Sequence, residues 1–317
     1  MSTPSESDGG SEIGPHGKTV LVTGGAGFVG SHLVAALMKR NDVRVLDDFS
    51  SGSREKLPRG VDIIEGDVRD PKTVRDAMAG VDIVFHEAAM VSVEGSVEHP
   101  LRSHAVTCDG TLAVLDRARR EDARVVLASS AAVYGPPESV PIPESARKMP
   151  TSPYGIDKLT ADQYTRRFYD LYGVETVALR YFNVYGKGQN PEYSGVVQVF
   201  MQQARAGEDI TIEGDGTQTR DFVHISDVVQ ANLRAGTTDR TGEAFNVGTG
   251  ESVTIRELAE TVRDVADSKS DIVHVDPRPG DIDHSRADVS RAKMALGYES
   301  TVSLSSGLGS LIDELTV

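Results

Sequence analysis

The sequence predicts an α/β fold in which a doubly wound parallel sheet is joined to a smaller C-terminal α+β lobe. Three observations lead there. Short β-prone apolar runs alternate with segments of helical periodicity through the first 180 residues, as a parallel sheet with crossover helices requires. The first run opens into a glycine-rich turn that leads straight into a helix. Beyond Phe182 the elements become short and mixed, which marks a change of architecture.

Lys18–Thr23 (KTVLVT) is a continuous apolar strand of the kind buried on both faces. Phe28–Lys39 has helical spacing through Leu33, Ala36 and Leu37. Further strands are expected at Val43–Leu46, Val61–Ile64, Val81–Phe85 and Arg124–Ala128. Pro71–Met78 reads as a helix capped by Asp70, with Pro71 in its first position. Ser96–Arg120 reads as one long helical region, and Ser152–Tyr172 as another. Between the last strand and the second long helix, Gly135–Pro153 carries six prolines and is expected to be a loop. A strand at Glu175–Arg180 follows, then a Gly/Asn-rich loop to Tyr193 and a helix at Gly195–Ala206. Ile210–Ile212 and Ala244–Val247 are expected strands, with a helix near Ser226–Ala235 between them and three helices at the end. The divisions are therefore a polar tail (1–17), a nucleotide-binding domain (18–180) and a substrate lobe (181–317), with some later segments free to return to the first domain.

Composition narrows the function. The net charge of −15 over 317 residues opposes binding to nucleic acid, whose phosphates would be repelled at long range. No apolar run approaches a membrane span, and Met1–Gly17 lacks the basic start and apolar stretch of a signal peptide. The lone Cys108 rules out an intrachain disulfide and disfavours a thiolate metal cluster, so a cytoplasmic protein without a metal is expected. Acidic residues in excess, with Arg outnumbering Lys, suit either a salt-adapted host or a merely acidic protein.

Gly24, Gly27 and Gly30 are spaced as GxxGxxG between the first strand and the first helix, with Phe28 and Val29 opening that helix. Such glycines allow a tight turn, close approach of a pyrophosphate and close helix–sheet packing, and the helix N-terminus attracts the anion. Asp47 ends the second strand, where a carboxylate can accept both ribose hydroxyls of an adenosine. Asp48 adds negative charge against a 2′-phosphate, so the expected cofactor is NAD and not NADP. Asp67 and Val68 follow the third strand, Asp67 reading as an adenine contact or as a turn cap. Ala88 and Ala89 follow the fourth strand, where small residues admit the cofactor; His86 before them reads as structural.

Tyr154 and Lys158 form a YxxxK pair, which places the ammonium one helical turn from the phenol. A free phenol has a pKa of about 10. The ammonium, together with the positive nicotinamide, is expected to draw that value toward neutrality, so that Tyr154 takes a proton from a substrate hydroxyl as hydride leaves the same carbon. Ser130 follows the fifth strand at the ligand-binding edge and can hydrogen-bond the reacting oxygen.

These segments resemble the extended short-chain dehydrogenases, specifically the NAD-dependent epimerase/dehydratase group with its Rossmann-type sheet. The resemblance rests on TGGAGFVGSHL (Thr23–Leu33), SSAAVYG (Ser129–Gly135), SPYGIDK (Ser152–Lys158), LRYFNVYG (Leu179–Gly186), GDGTQTRDFVHISDV (Gly214–Val228) and RPGD (Arg278–Asp281), and runs from Lys18 to about Leu315. It implies that Asn183, Arg220 and Arg278 contact a substrate diphosphate and that Tyr181 and Phe182 lie near the nicotinamide. Asp281 belongs to the same substrate-binding set, and a homodimer through the two long helices is implied as well. Asp221, His224 and Asp227 would organise the lobe.

Within the group, 4,6-dehydratases carry an acidic pair after the Ser/Thr, and decarboxylases usually a Glu; this chain has Ala131 and Ala132, which move no proton. The remaining chemistry is reversible oxidation at C4, closest in pattern to UDP-glucose and UDP-N-acetylglucosamine 4-epimerases. Ser285 stands where the resemblance puts a bulky residue that excludes N-acetyl groups, so both sugars are expected to fit. Two departures are Thr107, where the group often has Asn, and Val91, where some galactose epimerases have Lys. Rival readings are a net nucleotide-sugar oxidoreductase or dehydratase, and a non-catalytic NAD-binding protein.

Overall fold

The computed structural model describes residues 13–189, 195–277 and 282–313. Arg278 and Asp281, residues 1–12 of the expected tail and residues 190–194 of the expected loop lie outside the described residues. The end of the polar tail is held: the Gly17 N–H donates to the Arg40 carbonyl (2.9 Å), and Asn41 Nδ2 to the Pro15 carbonyl (3.0 Å).

The chain begins β1 (Thr19–Thr23), α1 (Phe28–Leu37), β2 (Asp42–Asp47), β3 (Asp62–Glu65), α2 (Pro71–Ala77) and β4 (Ile83–His86). Asp70 caps α2 by accepting from Lys72 and Thr73 N–H groups, with Pro71 in the first turn, as the sequence predicts. The expected helix 96–120 is instead broken. It runs as α3 (Val93–Glu98), α4 (Pro100–His104), a π-helical turn over Ala105–Asp109, and α5 (Gly110–Glu121). Pro100 supplies the break, since its ring admits only a first-turn position. β5 (Arg124–Ser130) and the 20-residue α6 (Pro153–Tyr172) follow, then β6 (Thr176–Tyr181).

A strand β7 (Asn183–Tyr185) occupies the start of the expected Gly/Asn-rich loop, paired in parallel with a later segment, Phe222–His224. Three-residue strands of this kind owe their existence to a distant partner and carry no periodicity to read. The remainder comprises α7 (Val196–Ala206), β8 (Ile210–Glu213), β9 (Thr219–Arg220), β10 (Phe222–His224), α8 (Ile225–Ala235), β11 (Glu243–Val247), β12 (Val253–Thr254), α9 (Ile255–Val265), β13 (Ile272–Val275), α10 (Ser290–Leu296) and α11 (Leu304–Asp313).

Seven parallel strands form the main sheet in the order β11-β6-β5-β4-β1-β2-β3. Alternate residues of β1 divide the core. Val20 and Val22 pack with α1 and α8 residues such as Leu33, Val34 and Val228, whereas Leu21 packs with Val74, Val114 and Leu115 on the opposite face. β11 comes from the C-terminal half yet lies at the edge of this sheet, beside β6. A separate core unites α7, β8, α9 and α11 through Phe200, Ile212, Leu258 and Leu308. No helix among the described residues is long and apolar enough to cross a membrane.

Strand order reverses between β1 and β4: the chain proceeds outward through β2 and β3, then returns to place β4 on the other side of β1. The helices leaving these strands diverge to opposite faces, and the crevice at the carboxyl ends is where such sheets accept ligands.

Candidate active site

The crevice is a cleft of about 340 Å³. Its walls include the glycine turn after β1, the ends of β2 to β5, the start of α6 and the end of β6. Gly24, Gly27, Phe28, Val29, Gly30, Asp47, Asp48, Asp67, Val68, Ala88, Ala89, Ser130, Tyr154, Lys158 and Tyr181 all line it. The expected cofactor-binding and catalytic residues, scattered over 158 positions of sequence, thus meet at one site.

The glycine turn provides the test of whether a dinucleotide fits. Gly24 has φ +66°, and a side-chain carbon there would come within 2.7 Å of the Ala88 nitrogen. At Gly30 it would lie 2.2 Å from the Gly24 carbonyl oxygen. The turn is therefore bare backbone, and α1 starts on it with no side-chain cap taking its first N–H groups. That is the cradle a pyrophosphate needs.

Asp47 is buried. Its two carboxylate oxygens accept from the Ala26 and Phe49 N–H groups (2.8 Å each), which orients them while leaving lone pairs for ribose hydroxyls. Burial raises its pKa, aided by Asp48, and the two backbone donors oppose the rise. Asp67 is tied to Arg69, whose guanidinium holds the carboxyl below the usual range. Ser50, Ser51 and Lys56 also line the cleft; they lie within eight positions after Asp48, but no motif in the sequence marks them. His86 is structural, as expected. Its Nδ1 meets Thr23 Oγ1 (2.7 Å) and its Nε2 Thr111 Oγ1 (3.0 Å), while burial, with the charge of Lys158, holds its pKa to about 3.

Ser152 caps α6 by accepting from the Gly155 N–H (3.1 Å), so Pro153 and Tyr154 occupy the first turn and Lys158 follows one turn on. The Tyr154 N–H donates to Ser96 Oγ (3.0 Å), which pins that turn to α3. Lys158 Nζ donates to the Ala128 carbonyl (2.7 Å) and stands 5.9 Å from the centre of the Tyr154 ring. Ser130 accepts from the Ala132 N–H (3.2 Å).

The expected fall of the Tyr154 pKa is not produced by the protein's own groups. Burial pushes the phenol up, opposed by its hydrogen bond with Ser130. The Lys158 ammonium, which donates to the Ala128 carbonyl, does not offset that desolvation.

Glu87 carries no signal of its own in the sequence, standing beside the small Ala88 and Ala89. It lines the same cleft, and its Oε1 accepts from the Tyr181 hydroxyl (3.1 Å), which in turn accepts from Asn232 Nδ2 (2.7 Å). Burial pushes Glu87 up to about 7, held back by the charge of Lys158 and the Tyr181 bond. Burial draws Lys158 down to about 8, resisted chiefly by the charge of Glu87.

Of the residues expected at the substrate, Asn183, Arg220 and Ser285 do not themselves line this cleft, although Asn183 stands between Phe182 and Val184, which do. Asn183 Nδ2 donates to the Asp221 carbonyl (3.0 Å). Arg220 borders a second cavity with Phe222 and Thr249, and its Nη1 donates to the Thr219 carbonyl (2.8 Å). Ser285 is buried, with its N–H donating to the Thr219 carbonyl (3.0 Å). Asp221 organises the lobe as expected: it accepts from the N–H groups of Thr249, Gly250 and Ala287. Asp227 likewise accepts from Thr301 and Ser300, whereas His224 caps α8 through Ser226. Thr107 sits buried in the π turn, and Val91 lines the cleft.

The model of the NAD-dependent epimerase/dehydratase family matches residues 20–248. The chain belongs to this family. A putative UDP-glucose 4-epimerase of Methanocaldococcus jannaschii is 35% identical over 93% of this chain and 97% of its own length. UDP-glucuronic acid decarboxylase 6 of Arabidopsis thaliana is 36% identical, over 91% and 86% respectively. Among solved structures, UDP-glucose 4-epimerase of Thermotoga maritima with UDP-glucose superposes with a TM-score of 0.91 at 36% identity, covering 94% of this chain and 98% of that one. As an NAD-dependent epimerase/dehydratase, the chain uses the dinucleotide for which its glycine turn and Asp47 are shaped.

Proposed function

We propose that this protein is a nucleotide-sugar 4-epimerase that interconverts UDP-glucose and UDP-galactose, and accepts their N-acetylated counterparts. One observation carries the reading: Ser130, Tyr154 and Lys158 line a single cleft with the glycine turn, while the two positions after Ser130 are Ala131 and Ala132. Dehydration or decarboxylation needs a further proton-moving group beside the serine, and alanine supplies none.

Gly24, Gly27, Gly30 and Asp47 would hold NAD, whose chemistry when bound is the reversible acceptance of hydride from carbon. Tyr154 removes the proton of the 4-hydroxyl and returns one to the same oxygen after the sugar has turned over. Ser130 hydrogen-bonds that oxygen throughout. Lys158 supplies the positive charge that makes the phenolate accessible, adding to the charge of the oxidised nicotinamide where burial alone raises the phenol. Asn183, Arg220, Arg278 and Asp281 are assigned to the UDP-sugar, and the small Ser285 to the room beside its 2-substituent. Residues 18–180 form the NAD-binding part and 181–317 the substrate-binding part, with β11 returning to the first.

The enzyme is read as a cytoplasmic homodimer, a location that a single, unpaired Cys108 suits. Val97, Leu101, Ile156 and Tyr164 support the dimer, being apolar or aromatic yet exposed along α3, α4 and α6; Leu101 is 86% exposed. The acidic composition is read as adaptation to salt.

The test is incubation of the purified protein with UDP-glucose, UDP-galactose and their N-acetylated analogues, followed by separation of the products. Formation of the 4-epimer without net consumption of NAD is the expected result. Loss of a carboxyl or of water from the sugar would defeat the reading. Tyr154→Phe is expected to lower turnover by about 10²–10⁴-fold while NAD stays bound.

A further inference from the structure

Glu87 is a carboxylate at the inner end of the cofactor cleft that the chemistry above does not use. It stands one residue beyond β4, at the point where strand order reverses. Two features separate it from a stray surface acid. Its Oε1 is tethered by the Tyr181 hydroxyl, and that hydroxyl is held by Asn232 of α8, so the carboxylate is positioned by a relay of two side chains. It also lies beside the lysine's anchor: His86 of β4 pairs with Leu127 of β5, so Glu87 continues alongside Ala128, whose carbonyl takes the Lys158 ammonium (2.7 Å), and both groups line the cleft, where each perturbs the other's proton affinity.

We propose that Glu87 is a positioning residue for the Tyr154–Lys158 pair: its carboxylate, tethered by Tyr181, supplies the counter-charge that keeps the Lys158 ammonium protonated in the cleft. The inference rests on the proposed epimerase reading and adds to it a residue outside the Ser130–Tyr154–Lys158 set.

The need for a counter-charge follows from burial. An ammonium taken out of water tends to lose its proton, and among the described residues the close hydrogen-bond acceptor of Lys158 is the neutral Ala128 carbonyl. The titratable groups around the pair are Tyr181 from β6, which bonds Glu87, and Cys108 from the π-helical turn, which acts on Lys158 of α6; Tyr154 lines the same cleft, and burial holds the pKa of the neighbouring His86 to about 3. Lys158 is the cation among them, and Tyr181 stays a protonated donor because burial and the neighbouring Glu87 charge both raise its pKa. Removing the Glu87 charge should therefore let Lys158 deprotonate at lower pH, and Tyr154 would then face a neutral amine.

The experiment follows the lysine itself. The NAD-loaded enzyme is labelled with ¹³C at the lysine ε-carbon, the Lys158 resonance is assigned by its loss in Lys158→Met, and its titration is followed by NMR. Glu87→Gln keeps the size of the side chain and an acceptor for Tyr181 but removes the charge. Its Lys158 midpoint is expected to fall by about one pH unit or more. Tyr181→Phe leaves the charge but unties it, and a smaller fall, about half a unit, is expected. The alkaline limb of kcat/KM should move downward with each midpoint. An unmoved Lys158 midpoint in Glu87→Gln, with NAD content and melting temperature retained, would overturn the proposal. So would equal falls in the two variants, which would point to packing and not charge. Should Glu87→Gln fail to fold, an unmoved midpoint in Tyr181→Phe decides against it. Absence of epimerisation alongside the expected shifts would defeat the functional reading alone; full epimerisation without them would defeat this inference alone.

Discussion

Two charged clusters flank the carboxyl end of β5, and they differ in how completely they are satisfied. Behind the sheet, Asp162 of α6 accepts from Arg180 Nε and Nη2, from Arg166 Nε and from Ser129 Oγ, at 2.9–3.1 Å. Arg180 spends its remaining nitrogen on the Tyr134 hydroxyl and the Glu144 carbonyl (3.0 Å each). The carboxyl is held below its ordinary range by these guanidinium partners against the cost of burial. In the cleft, Glu87 and Lys158 each have one close hydrogen-bond partner among the described residues, Tyr181 and Ala128, and their proton affinities drift toward neutral pH. Burial with every lone pair engaged makes a permanent charge, which serves as structure. Burial with partners missing makes a charge that can change, which serves chemistry.

The largest effect is expected from breaking the first cluster. Asp162→Ala leaves Arg180 as an uncompensated buried cation and should cost about 3–5 kcal/mol of stability, measured by denaturant unfolding. Lys158→Met should do the reverse, lowering kcat by about 10²-fold or more with little change in the denaturant midpoint. If Lys158→Met unfolds the protein as readily as Asp162→Ala, the distinction fails. Acid should separate the clusters again. Asp162 has a depressed folded-state pKa, so its stabilisation is present above the ordinary carboxylate range and is lost as pH falls below it. Unfolding free energy measured against pH should therefore drop below about pH 4 in the wild type, and drop less in Asp162→Asn. The smallest effect belongs to the exposed pair Lys293–Glu299 (2.7 Å), whose removal should leave the denaturant midpoint essentially unmoved. The same pair of charges thus ranges in consequence from negligible to decisive with depth alone.

The legible and illegible parts of the molecule divide along similar lines. The glycine turn, the post-strand Ser130 and the Tyr154–Lys158 spacing could be read because each depends on residues within a few positions of itself, and the sheet then brings them together. Glu87 could not be read that way. Its partner Tyr181 lies 94 positions along the chain, and in the sequence the small neighbours Ala88 and Ala89 were the visible signal. Asp162 and Arg166, four apart on α6, look like an exposed helical ion pair; only the arrival of Arg180 from β6 makes them core. The π turn at Ala105–Asp109 and the short strand β7 are likewise imposed by packing against distant segments. The rise of the Tyr154 pKa belongs here too, because spacing reports a neighbour's charge and not the loss of water around both groups.

The placement of β11 has a consequence for how the polypeptide is made. β6 pairs with β11 through Val177–Tyr181, and Asn246 of β11 accepts from the Tyr134 hydroxyl (2.6 Å) while its own amide donates to the Ile142 carbonyl (2.8 Å). Until residue 247 has left the ribosome, β6 is an open edge and the buried Tyr134 lacks this acceptor. A nascent chain ending near residue 180 holds every group of the Ser130–Tyr154–Lys158 set yet cannot finish its sheet. Completion of the nucleotide-binding half therefore waits on synthesis of the other, which couples the appearance of the cofactor cleft to that of the lobe beside it.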